Sequence, residues 1–264
     1  MDKTVALTGA TSGIGRAVAE AFVDAGAFVA VSGRDGDAVD RTVAELNGTS
    51  TGGDGDRSTS DSVGDADFDD ATDAADTEVA DPVAGTAWGA RVDVRDEFDL
   101  ERFFERVVGE AGPIDVVLAN AAVFHGAPGE SPTDRLSYRE FDDTMRTNAR
   151  GVFATIREVV PHLADEARVL VPSGSVAHES KAGMGAYAVS KAAAEAVARG
   201  FAADVDATVG VVDPGLVATD LTGMERARDP ESVAPLFVWA ATDAPAEKLD
   251  GERVGLREWK KATR

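Results

Sequence analysis

The chain has 264 residues, 44% of them hydrophobic, enough for one large α/β domain with a core between sheet and helices. Its 48 acidic and 26 basic residues leave a net charge of -22, which repels nucleic acid phosphates and anionic lipid headgroups and argues against both as partners. The absence of cysteine excludes disulfides, thiolate metal sites and thiol nucleophiles.

Most basic residues are Arg, with Lys only at positions 3, 181, 191, 248, 260 and 261, and acidic residues are spread along the whole chain. Such a surface suits concentrated salt, where screening suppresses self-repulsion. The N-terminus offers no basic region followed by an apolar stretch, and no apolar run approaches the ~20 residues that span a bilayer. The expectation is a soluble cytoplasmic protein.

Apolar runs alternate with amphipathic stretches, which predicts β-α-β units around a buried parallel sheet. Strands are expected at about 3–8, 27–32, 89–94, 114–119, 167–172, 207–213 and 252–256. Helices are expected at about 13–25, 37–46, 97–110, 137–163, 185–204 and 230–242. Together they predict a doubly wound sheet of about seven strands in a single domain, 1–264.

The first strand runs into Thr8-Gly9-Ala10-Thr11-Ser12-Gly13-Ile14-Gly15, and a helical run follows at once. Gly9, Gly13 and Gly15 permit a tight strand-to-helix turn and close approach of a pyrophosphate to backbone N–H groups, with Thr11, Ser12 and Ile14 completing the cradle. At the end of the second strand, Val31-Ser32-Gly33-Arg34 carries no acid to accept from an adenine ribose. Arg34 instead suits a 2′-phosphate, so NADP(H) is favoured over NAD(H), although Asp35 and Asp37 are close by.

From Asn47 to about Ala87 the chain is rich in Gly, Ser, Thr and Asp and poor in large apolar residues. It reads as a flexible acidic insertion within the domain. Its cluster Asp61, Asp65, Asp67, Asp69 and Asp70 lacks the ordered spacing of a calcium loop. His125, His162 and His178 show no ligand spacing either, and no metal site is expected. Beyond the insertion, Asp93 ends the third predicted strand, where it is placed to bond the adenine or to cap the next helix.

Farther on, Val169-Leu170-Val171-Pro172-Ser173-Gly174-Ser175 predicts a strand ending in hydroxyls suited to a substrate carbonyl. Tyr187 and Lys191 then open an alanine-rich helix as an i, i+4 pair, which sets an ammonium near a phenol and makes a tunable acid/base. His178 and Met184 lie on the loop between these motifs, placed to line a substrate pocket, while Trp239 falls on an apolar helical face. After the next strand, the Pro214-Gly215 turn and Thr219 are placed to hold a carboxamide, and a short lid follows at 220–226.

These motifs, in this order, resemble the short-chain dehydrogenase/reductase family, over nearly everything except the insertion and the last twenty or so residues. The resemblance implies a Rossmann-type fold and hydride transfer between a nicotinamide dinucleotide and a carbonyl or alcohol. Tyr187 would be the general acid/base, Lys191 would lower its pKa and bind the nicotinamide ribose, and Asn148 would hold a water of the proton relay. Asn120 would keep the central sheet contact beside the cofactor, in Ala119-Asn120-Ala121-Ala122, where Ala119 and Ala122 replace the family's Asn and Gly. The family's serine position, thirteen before the Tyr, is Gly174 here, so Ser175 is the expected catalytic serine and Ser173 the alternative. The resemblance also implies a homotetramer or homodimer through helices 137–163 and 185–204. Other outcomes compatible with the motifs are dehydration or epimerisation on the same fold, and non-catalytic dinucleotide sensing.

Overall fold

The computed structural model describes residues 1–48, 85–224 and 226–264. Seven strands form one sheet in the order β3 (Thr86–Arg91), β2 (Phe28–Gly33), β1 (Thr4–Thr8), β4 (Ile114–Ala119), β5 (Leu163–Pro172), β6 (Thr208–Asp213) and β7 (Arg253–Gly255). Every neighbouring pair is parallel. One face packs on α1 (Gly13–Asp24), α2 (Gly36–Leu46), α7 (Pro230–Thr242), α8 (Ala246–Leu249) and α9 (Leu256–Ala262), and this core holds Trp239. The other packs on α3 (Glu97–Ala111), α5 (Gly151–Val159) and α6 (Gly185–Asp204), and α4 (Tyr138–Met145) leans on α6. This is the doubly wound architecture expected, and its strand order reverses between β1 and β4. A crevice therefore opens at their carboxyl ends, where Thr8 is paired with Ala119.

Three boundaries differ from the expectation, each for a physical reason. β3 starts and ends three residues early because the Asn47 side chain bonds both the N–H and the C=O of Ala87, each at 2.8 Å. Gly89 then passes beneath α2, where a Cβ would lie 2.6 Å from Val39. The helix expected over 137–163 is broken: Ser137 and Glu140 cap α4 reciprocally, a turn of π-helix occupies Arg146–Arg150, and Pro161 sits in a 3₁₀ turn before β5. β5 accordingly begins at Leu163 instead of 167, and α8 and α9 were not anticipated. The acidic segment falls mainly outside the described residues, including the Asp61–Asp70 cluster; its ends, at Asn47 and Gly85–Ala87, are held against α1, β2 and β3. Among the described residues, no helix is long and apolar enough to cross a membrane.

Candidate active site

At the crevice lies a cleft of ≈ 540 Å³, within the usual range of ligand pockets. Gly9, Thr11, Ser12, Gly13, Ile14, Arg34, Asn120 and Thr219 all line it. The turn is shaped by sterics: Gly9 has φ 65°, and a Cβ on Gly15 would lie 2.3 Å from the Gly9 carbonyl oxygen and 2.5 Å from Asn120 Nδ2. Asn120 locks the arrangement from β4, donating to the carbonyls of Gly9 (2.7 Å) and Thr8 (3.2 Å). The α1 N-terminus has no side-chain cap at Ser12 and no acid in its first turn, so its amides and dipole are left to an anion. These features fit the pyrophosphate of a dinucleotide.

Beside the turn, the Asp35 carboxylate is engaged locally, accepting from Ala38 N at the start of α2. Asp93 does not take the capping role expected as its alternative. Its carboxylate is gripped by Arg95, with Nη2 at 2.6 Å, and the residue capping α3 is Asp96. Hydrogen bonds from Arg95 hold the Asp93 carboxyl below the usual carboxylate range. The cleft wall there comes from its neighbours Val92 and Val94.

The residues expected to move a proton gather beside this cleft, behind its wall. Phe124, a wall residue, stacks on Tyr187 with ring centroids 4.9 Å apart. Lys191 is buried, its Nζ 5.7 Å from the Tyr187 ring centroid and donating to Pro172 O at 3.0 Å. Burial pushes the Tyr187 phenol up to about 12, opposite to the lowering expected from Lys191. The ammonium is spent on a carbonyl, and burial pulls Lys191 itself down to about 8 against the opposing field of Glu195. Asn148, 1% exposed, sits in the π turn; it accepts from Val123 N (2.8 Å) and donates to Val123 O (2.9 Å) and Ser190 Oγ (3.0 Å). Ser190 Oγ in turn donates to Tyr187 O at 2.8 Å, so Asn148 braces the tyrosine's helix.

The serines part company. Ser173 donates to Glu195 Oε1 at 2.6 Å and is turned into the protein, whereas the half-buried Ser175 accepts from Lys181. At Gly174 an added Cβ would meet only Asp213 Oδ1, at 3.7 Å. Pro214 and Gly215 stand outside the cleft, although Thr219 closes on Gly13, its Cγ2 lying 3.1 Å from where a Cβ would stand. His178 and Met184 do not line it either: His178 pairs with Arg253, and Met184 bridges to Ser131.

Several cleft residues had no sequence signal. Phe124 is one. His125 is another, its Nε2 bonded at 2.8 Å to Asp143, which also receives Arg95. Thr147 lines the cleft with a buried hydroxyl that has no hydrogen-bond partner among the described residues. Glu195, two turns beyond Tyr187 on the same helix, was open to discovery by helical spacing; its partner Arg253 was not.

An anion cradle at the switch point of a doubly wound sheet, with a half-buried tyrosine and a buried lysine beside it, defines a nucleotide-binding oxidoreductase. Family profiles agree: one described as enoyl-(acyl carrier protein) reductase matches residues 61–236, and one described as short chain dehydrogenase matches 3–77. The chain belongs to the short-chain dehydrogenase/reductase family, and as such is an enzyme acting on CH–OH or carbonyl groups. It is 32% identical over 259 residues to 1-deoxy-11-beta-hydroxypentalenate dehydrogenase of Streptomyces exfoliatus, covering 90% of this chain and 79% of that one. Among solved structures, a short chain dehydrogenase from Burkholderia cenocepacia in complex with NADP superposes with TM-score 0.74 at 21% identity, covering 97% and 96% of the two chains. A 3-ketoacyl-(acyl-carrier-protein) reductase from Brucella melitensis complexed with NADH gives TM-score 0.74 at 20% identity, covering 96% of each.

Proposed function

We propose that the chain interconverts a carbonyl and a primary or secondary alcohol using NADP(H), with Tyr187 as general acid/base. The observation that carries this reading is the placement of Tyr187 and Lys191 one turn apart on a buried face of α6, directly behind the wall of an anion-cradling cleft. The turn from Gly9 to Gly15, with Thr11, Ser12 and Ile14, holds the pyrophosphate. Asn120 borders the adenosine, Thr219 and the Pro214-Gly215 turn border the carboxamide, and Lys191 binds the nicotinamide ribose. When bound, the nicotinamide supplies or takes up the hydride.

Tyr187 supplies the proton to the nascent alkoxide in reduction and removes it in oxidation. Its upward-shifted phenol is protonated at neutral pH, the form that donates in reduction. In both directions the phenolate is stabilised when the Lys191 ammonium leaves Pro172 O and faces it. Ser175 orients the substrate oxygen once Lys181 releases it, and Asn148 holds a relay water from its π turn.

NADP(H) is preferred because Arg34 lines the cleft, while the acid next to it in sequence, Asp35, is committed to its helix cap. Relatives in the fold whose structures hold NADP or NADH make either dinucleotide chemically reasonable. We further read the chain as one cytoplasmic domain adapted to concentrated salt. It assembles as a homotetramer or homodimer through the exposed apolar residues Phe153 of α5 and Val189 of α6, each 42% exposed.

A panel of ketones and alcohols assayed with both dinucleotides, in low and multimolar potassium chloride, tests the reading. Expected are faster turnover with NADPH, a gain with salt, and loss of the NADPH preference by about tenfold in Arg34→Ala, the size of one charge-assisted hydrogen bond. Equal use of NADH by the unaltered enzyme removes the role of Arg34, and full activity without salt removes the halophilic reading.

A further inference from the structure

Tyr187, Lys191 and Glu195 recur every four residues and so stand in line on one face of α6. Lys191 and Glu195 grip consecutive residues where β5 runs out: Lys191 Nζ donates to Pro172 O, and Glu195 accepts from Ser173 Oγ. A carboxylate this buried, in a residue 7% exposed, requires compensation. It comes from the far end of the chain, where Arg253 Nη2 on β7 reaches Oε1 at 2.7 Å and Oε2 at 2.6 Å. The other arm of the guanidinium, Nη1, lies 2.6 Å from His178 Nδ1 and 3.8 Å from Asp213 Oδ2 at the end of β6. One cation thus ties together the proton-transfer helix, the loop after Ser175 and the turn before Pro214.

We propose that the Glu195–Arg253 ion pair is a positioning device for Lys191, setting the charge delivered beneath Tyr187 while clamping the Ser173–His178 segment. The proposal rests on the reading of Tyr187 and Lys191 as the proton-transfer pair, and neither Glu195 nor Arg253 touches the reacting atoms. The charged and titratable groups facing the lysine are Tyr187 and Glu195 from its own helix, and those facing the Glu195–Arg253 pair are Asp213 from β6 and His178 from the loop. The Glu195 carboxylate favours the Lys191 ammonium, and the Arg253 guanidinium bonded to that carboxylate carries the opposite charge.

The two halves of the pair therefore act on Lys191 with opposite sign, which loosening of the structure does not reproduce. The test is an NMR titration of ¹⁵N-lysine-labelled protein without cofactor, in which the Lys191 ammonium is assigned by its loss in Lys191→Arg. Alongside it, the pH profile of kcat/KM is measured for the same variants. Glu195→Gln is expected to lower the Lys191 midpoint by about one pH unit, the lower end of the effect of a close opposite charge. Arg253→Met is expected to raise it, Arg253→Lys to restore it, and Ser173→Ala, which removes a hydrogen bond and no charge, to leave it in place. Midpoints that move in the same direction in Glu195→Gln and Arg253→Met, or that stay fixed in both, overturn the proposal. If Arg253→Met does not fold, the contrast between Glu195→Gln and Ser173→Ala decides. A shifted midpoint with an unchanged kcat/KM profile upholds the electrostatic device and overturns instead the assignment of Tyr187 and Lys191 as the proton-transfer pair.

Discussion

The glycine turn and the proton-transfer face of α6 lie on the two sides of one cleft wall and are built by different means. The turn is specified within eight residues by what has no room for a side chain: at Gly15 even a methyl group meets the Gly9 carbonyl and Asn120. The α6 face is specified by side chains from distant parts of the chain, with Phe124 over Tyr187, Pro172 on Lys191, and Ser173 and Arg253 on Glu195. Local sterics fix where an anion sits; long-range burial fixes how readily a proton moves.

The largest effect that separates the two regions is the cost of burying Lys191. Its folded-state pKa of about 8 stands below the ordinary 10.5, so between those values the unfolded chain binds the extra proton and folding stability rises with pH. Relative to Lys191→Met, the unaltered enzyme is expected to gain roughly 3 kcal/mol from pH 8 to 10.5, read from denaturant midpoints at each pH. A constant difference across that window would show that the ammonium is not held against its desolvation.

On the other side of the wall, Gly15→Ala is expected to weaken NADPH binding by about thirtyfold in a fluorescence titration, the effect of roughly 2 kcal/mol of overpacking. Unchanged binding would mean that the turn relaxes, and would break the contrast drawn between steric and long-range control. The smallest change is a gain: Gly174→Ser fits without collision and returns a hydroxyl to the family's usual position. An increase in kcat of about tenfold, short of the roughly hundredfold of a fully aligned donor to a developing oxyanion, is expected for a ketone reduced slowly by the parent. No gain would indicate that Ser175 already meets that need.

This contrast also explains what was legible in the sequence. The doubly wound alternation of strands and helices, the turn and the Tyr187–Lys191 spacing follow from local patterns of period, glycine placement and helical repeat, whereas Asn120 was marked only by the family resemblance. The bounds of β3 were misplaced because its start depends on Asn47, forty residues before Ala87 in sequence. The break in the helix around Asn148 was hidden because a π turn keeps helical composition, and the Val123 backbone that Asn148 bonds lies in another part of the chain. Arg253 carries no local mark at all; only the pairing of β7 beside β6 brings it to Glu195. The direction of the Tyr187 shift was missed for a related reason, since helical spacing places a lysine nearby but does not say which acceptor its ammonium chooses.

The central claim is that Tyr187 carries the proton. Single-turnover reduction of a good ketone substrate by Tyr187→Phe, with NADPH binding confirmed beforehand by fluorescence, addresses it without interference from product release. A rate lower by about a thousandfold, with NADPH still bound, is the result expected for loss of a positioned general acid. A rate equal to that of the unaltered enzyme would contradict it and place the proton donor elsewhere in the cleft.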